Sequence, residues 1–243
     1  MIPLIAAEWM KLRTTRLLAG MLSGAVVISA AAAAGAVLSR DGAELESTDG
    51  IRYVFSVTGA GAIVVLVLGI LVSTGEHRHG TASDTYLTTP RRHHVIAAKL
   101  AVASLLGLGA GVLVGAASLS VAILLYRSQG AAFPFGDAEA WLTLSGMLAY
   151  TTLFAVLGAA VGAVVRHQVL AVAGTLAWFA VVEHTLVNLA PSIGRWLPAG
   201  AGQAILRTPL DGLLSPVAGA AVVAVYAATV ATAAIRIEAT RDV

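Results

Sequence analysis

The sequence predicts an all-α, polytopic membrane protein of six transmembrane helices, and three observations carry that prediction. Of 243 residues, 58% are hydrophobic and only 12% are charged, with a mean hydropathy of +0.87. An ordinary soluble domain holds about 25% charged and roughly 45–50% apolar residues. The apolar residues are gathered into six uninterrupted stretches, 17–38, 53–74, 100–126, 142–165, 169–190 and 217–235. Each is close to the ~20 residues that a helix needs to cross ~30 Å of hydrocarbon. The stretches are also continuous, unlike the ~10-residue alternating segments of a membrane barrel. Together they contain one charged side chain, Glu183. The absence of cysteine excludes a disulfide scaffold. A net charge of +2, from Lys and Arg dispersed along the chain, makes no patch for nucleic acid.

The elements follow in chain order. Residues 2–16 carry Ile2, Ile5, Trp9 and Leu12 within one stripe at helical spacing, with Glu8, Lys11 and Thr15 assigned to the opposite side. This predicts an amphipathic helix lying on the inner membrane surface, with Trp9 as its interfacial anchor. The competing reading is a cytosolic extension of the first span. That span has a 22-residue apolar core, longer than the ~7–15 residues of a signal peptide, and is expected to be retained. Ten of the fifteen Lys and Arg fall on one side of the membrane if the N-terminus is cytoplasmic, and the first outer loop is acidic. Both termini are therefore expected inside, in a multi-pass arrangement. No internal repeat or linker divides residues 1–243, so one membrane domain is expected.

The inner loop between spans two and three runs from Gly75 to His94 and is rich in polar residues. Thr81 or Ser83 can cap a short helix, Asp84 suits its first turn, and Pro90 stops it near Thr89. Two readings stand for this loop: a structured element that docks onto a protein, or a solvated loop made basic by the positive-inside rule. Its four histidines, His77, His79, His93 and His94, lack the cysteines or the His-Glu-x-x-His spacing of a zinc site, so no metal is expected. Neither Lys11 nor Lys99, the two lysines, ends a phosphate-binding loop, and no nucleophile elbow occurs. The chain is not expected to be an enzyme.

Three motifs bear a family likeness. Glu76-His-Arg-His-Gly-Thr81, then Leu87-Thr-Thr-Pro-Arg-Arg92 and Ala97-Ala-Lys99, resembles the loop of type-2 ATP-binding-cassette (ABC) transporter permeases, in the form seen in actinobacterial members. Glu8-Trp9-x-Lys11-Leu12-Arg13-Thr14 resembles the entry helix of that family, and Gly194-Arg195-Trp196-Leu197-Pro198 its outer element between spans five and six. His77 departs from the pattern, where an aromatic residue is more usual. The resemblance implies a cytoplasmic coupling helix between spans two and three that sits in a cleft of an ABC ATPase subunit. Glu76, Arg78, Gly80, Thr81, Thr88 and Arg91 would then lie at or near that interface. It implies no cofactor in this chain, with ATP and magnesium on the partner, and a second permease copy as a homodimer, or a related permease. It also implies an outer helical segment between spans five and six, residence in the plasma membrane, and export of an amphipathic or hydrophobic substrate. The alternative is a membrane scaffold or sensor that docks an ATPase without transporting.

Two features inside the spans remain. Gly107, Gly111 and Gly115, and Gly158 and Gly162, recur every four residues. They are read as close helix packing within one subunit, against a pore-lining role. Glu183 is read as a functional carboxylate or as a structural hydrogen bond to the outer segment. Residues three and four away offer no donor, so the donor is expected from another element, with Arg195 and Trp196 as candidates if 191–216 folds back into the membrane.

Overall fold

The structure, a computed structural model, describes residues 2–13, 15–79 and 92–240. Among the described residues, six helices are long and apolar enough to cross a membrane: Arg16–Leu38, Thr48–Gly75, His93–Ser128, Ala138–Val165, Gln168–Leu189 and Pro216–Ile237. No strand occurs among the described residues. An N-terminal helix α1 (Ile2–Arg13) precedes the first span α2 (Arg16–Leu38). Two short helices follow, α3 (Gly42–Leu45) and α4 (Thr48–Ser56), before α5 (Ala62–His79). Each short helix is capped by a side chain that accepts from its first turn: Asp41 from the Glu44 N–H at 2.9 Å and Ser47 from the Gly50 N–H at 3.0 Å. Span two is thus α4 and α5 joined through a 3-10 turn, Val57–Gly61. Spans three and four are α6 (Arg92–Ser128) and α7 (Ala138–Val165).

Span four is the hub, packed against spans two, three and six. The glycines explain how closely. A Cβ on Gly158 would collide with the Leu66 carbonyl oxygen, and one on Gly162 would sit 2.7 Å from that of Ile70. A Cβ on Gly107 would meet the Thr152 Cα at 2.6 Å. Packing within the subunit therefore holds for Gly107, Gly111, Gly158 and Gly162, whereas Gly115 faces open space. Gly158→Ala is expected to cost about 1–3 kcal/mol by overpacking, and Gly115→Ala almost nothing. Thermal melts of the two detergent-purified variants check this, and equal melting temperatures would count against close packing as the use of these glycines.

Spans four and five are joined by two residues. Arg166 takes a left-handed conformation (φ 57°) and its N–H returns to the Gly162 carbonyl, closing α7. His167 caps the next helix, its Nδ1 accepting from the Leu170 N–H at 3.3 Å. Span five is α8 (Gln168–Ala177), a π-helical stretch Trp178–Glu183, and α9 (His184–Leu189). Two short helices follow, α10 (Pro191–Gly194) and α11 (Pro198–Ile205), and then span six, α12 (Pro216–Thr240). Span five is the least enclosed, with 11% of its most apolar window buried against 67% for span two.

At the end of the molecule that carries α3 and α11, Glu139 at the start of α7 ties three separate segments together. Arg52 donates through Nε to its Oε2 at 2.9 Å, and Arg207 donates to both oxygens at 3.1 and 3.0 Å. Arg207 reaches it from a left-handed conformation (φ 54°) just past α11. Nearby, Phe133 packs edge-on against Phe55 and Tyr126, and the Tyr126 hydroxyl donates to the Leu45 carbonyl at 3.2 Å.

Candidate functional site

The opposite end carries the motifs of the entry helix and the long inner loop. Ile5, Trp9 and Leu12 of α1 pack on a cluster formed by Leu68, Val72, Val102 and Leu106, while Ile2 stays 83% exposed. The assignment of Glu8 to the polar side is corrected. It is buried and accepts from Lys99 Nζ at 3.0 Å and from Lys11 Nζ at 2.6 Å. At 100° per residue Glu8 lies on the flank of the apolar stripe, about 40° from Leu12, and α1 turns that flank towards span three. Two of the sequence motifs, 91 residues apart, therefore meet in a buried ion pair. Of the expected interface residues, Gly80, Thr81, Thr88 and Arg91 lie outside the described residues. Glu76 and Arg78 fall on the last turn of α5, with their side chains outside the description.

Within the spans, a groove of about 380 Å³ runs between spans four, five and six. Leu157, Val161, Leu170, Trp178, Tyr226 and Val230 line it, and Glu183 and Pro198 stand at its end. Its walls are almost wholly apolar, as ligand pockets mostly are. The Glu183 carboxylate is fully buried and each of its oxygens has a donor: Trp178 Nε1 donates to Oε1 at 2.7 Å, and the Ala199 N–H donates to Oε2.

Both donors differ from expectation. Trp178 precedes Glu183 by five residues and sits on the same helix. The π-helical stretch widens the turn and brings positions five apart onto one face, where an α-helix would bring three or four. The second donor does come from the folded-back outer segment, but from backbone. Ala199 lies in the first turn of α11, where N–H groups have no intrahelical acceptor and a partial positive charge favours a carboxylate. Pro198 opens that helix at a position that needs no N–H. Neither Arg195 nor Trp196 bonds Glu183; the Arg195 guanidinium instead lies 5.8 Å from the Trp196 ring centroid. Sequence reasoning missed Trp178, although a tryptophan close to an intramembrane acid on one helix was visible. It also missed Glu139, whose partners come from two distant segments.

Six apolar helices around a glycine-packed hub, with one acid sealed inside, define a multi-pass helical membrane protein. Residues 4–182 match a family model described as ABC-2 family transporter protein. The match covers most of the chain, and the chain belongs to that family: it is a membrane permease subunit of an ABC transporter, a class that works with an ABC ATPase. The matched region ends one residue before Glu183. No curated protein and no solved structure matches the chain.

Proposed function

We propose that this permease exports an amphipathic or hydrophobic substrate across the plasma membrane, driven by a separate ATPase subunit, and that it does so as one domain paired with a second copy or a related chain. The groove carries this reading: an apolar wall of about 380 Å³ with a single carboxylate at its end suits an apolar guest and offers no reacting pair. The open flank of span five leaves room for a second copy as well as for lipid. Both termini lie on the cytoplasmic side, where most Lys and Arg fall. There α1 lies at the interface, anchored by Trp9. The loop bearing Glu76, Arg78, Gly80, Thr81, Thr88 and Arg91 forms the coupling helix against the ATPase. Nucleotide and magnesium belong to that partner. Closure of the ATPase pair biases the spans between inward- and outward-open arrangements.

The test joins docking to transport. In cells co-expressing the ATPase, Thr88→Cys should cross-link to it. Arg78→Glu should lower the complex yield without loss of membrane insertion. In proteoliposomes, amphipathic candidates should stimulate ATP hydrolysis and be moved. A complex that forms normally but responds to no ligand would favour the scaffold reading. A complex unaffected by Arg78→Glu and Arg91→Glu would remove this loop as the docking element.

A further inference from the structure

Beyond Glu183, on the far side of its bond to Ala199, lies a second cavity of about 400 Å³, between α9, α10, α11 and the turn at Asp211. Its wall is mixed, with a far larger polar share than that of the groove. Arg195, Gln203, Asp211, His184 and Asn188 line it, and Phe179 is shared with the apolar groove. Two of these side chains hold buried atoms, Nε of Arg195 and Oε1 of Gln203, with no hydrogen-bond partner among the described residues. Buried polar atoms are rarely left so, because an unmade bond is costly. The two atoms ask for opposite things: the Arg195 N–H needs an acceptor, and the Gln203 oxygen needs a donor.

We propose that this cavity binds the headgroup of a phospholipid that carries both a phosphate and a primary ammonium, with an acyl chain in the adjoining apolar groove. The phosphate accepts from Arg195, a residue suited to anionic oxygens. The ammonium donates to Gln203 Oε1 and is drawn by the exposed carboxylate of Asp211. A quaternary ammonium has no N–H to give and leaves Gln203 unsatisfied. The hydroxyls of a glycerol headgroup can donate to Gln203, but they bring no positive charge for Asp211 to draw. Glu183 lines the apolar groove and not this cavity, so it does not face the ammonium. Phe179, common to both cavities, marks where head and chain meet. A cavity of 400 Å³ falls within the ~300–1,000 Å³ of small-molecule sites. All of the polar wall lies after residue 182, outside the part of the chain that the family match covers.

The test uses the full chain, purified and stripped of lipid, without nucleotide or ATPase. Its outcome is therefore separate from that of the transport assay. Phosphatidylethanolamine, phosphatidylcholine and phosphatidylglycerol of matched chains, and chainless glycerophosphoethanolamine, are offered singly, and retained ligand is counted by native mass spectrometry. Phosphatidylethanolamine should be retained about tenfold better than the other two lipids, the equivalent of one charge-assisted bond. The chainless headgroup should bind more weakly still. Gln203→Leu should bring phosphatidylethanolamine down to the phosphatidylcholine level, whereas Arg195→Gln, which removes the phosphate contact common to all three lipids, should lower the retention of each and leave their order unchanged. Asp211→Asn, at an exposed position where folding is not at stake, should narrow the preference severalfold. Equal retention of the three lipids, a preference that survives both Gln203→Leu and Asp211→Asn, or retention unchanged by Arg195→Gln would overturn the proposal and leave a water-filled cavity. Binding of the chainless headgroup as tight as that of the lipid would overturn the lipid as its source.

Discussion

Replacing Glu183 by Leu should destabilise the folded chain by about 2–6 kcal/mol, because two buried donors lose their acceptor at about 1–3 kcal/mol each. Trp178 Nε1 and the Ala199 N–H both point at the buried carboxylate, and Leu offers neither an oxygen. Glu183→Gln discriminates more finely. From the sequence alone, Gln is expected to preserve assembly, since it can still form hydrogen bonds. The structure sharpens this: the donors reach separate oxygens, so an amide carbonyl serves one while its NH2 group faces the other. Gln should therefore cost about 1–3 kcal/mol, one unsatisfied donor, and still assemble. Melting in detergent, yield of the ATPase complex and transport in proteoliposomes separate the cases. Loss of stability with Leu, a partial loss with Gln and transport that follows stability fit the structural role. Normal stability in both variants with transport lost would assign the carboxylate to transport itself. Wild-type melting of Glu183→Leu would show that these bonds do not hold the outer segment.

The second large effect is expected at Glu8. Breaking a buried ion pair from one side costs about 3–5 kcal/mol, because the charge left behind stays out of water. Glu8→Leu should lie near the low end, about 3 kcal/mol, since Lys99 keeps a further contact of its own. Adding Lys99→Met removes the stranded ammonium, and a well-packed apolar pair can match a buried ion pair. The double variant should regain most of the loss, and a four-way melting comparison measures the coupling directly. If Glu8→Leu/Lys99→Met melts below both single variants, the pair is not what fastens α1 to span three.

How much of this was legible depends on distance along the chain. The six spans could be read because lipid imposes a local rule: every residue of the stretch must be apolar. The same rule reports only the lipid-crossing length, so helices that run on into water were cut short. Span three, read as 100–126, is a helix from Arg92 to Ser128, and span two begins with the amphipathic turn at Thr48. That 191–216 folds back on span five entered the sequence reading only as a condition for a donor to reach Glu183. The bond that results was not, because it uses a main-chain N–H that no side-chain pattern records. Trp178 was hidden by the assumption of 3.6 residues per turn. Glu8 with Lys99, and Glu139 with Arg52 and Arg207, pair across 68 to 91 residues, and a single chain carries no signal at that range.

The two-residue joint at Arg166 and His167 has a mechanical consequence. With the chain closed so tightly at one end, span five can change its tilt against span four only by swinging about that joint. Its 22 residues make an arm of about 33 Å at 1.5 Å per residue. A swing of about 10° would carry the far tip roughly 6 Å and Glu183 roughly 4 Å. A hydrogen bond tolerates a few tenths of an ångström. A swing of that size separates the carboxylate from Ala199 unless α10 and α11, packed on the arm through Gly194 and Gly200, move with it, whereas Trp178 rides on the same arm.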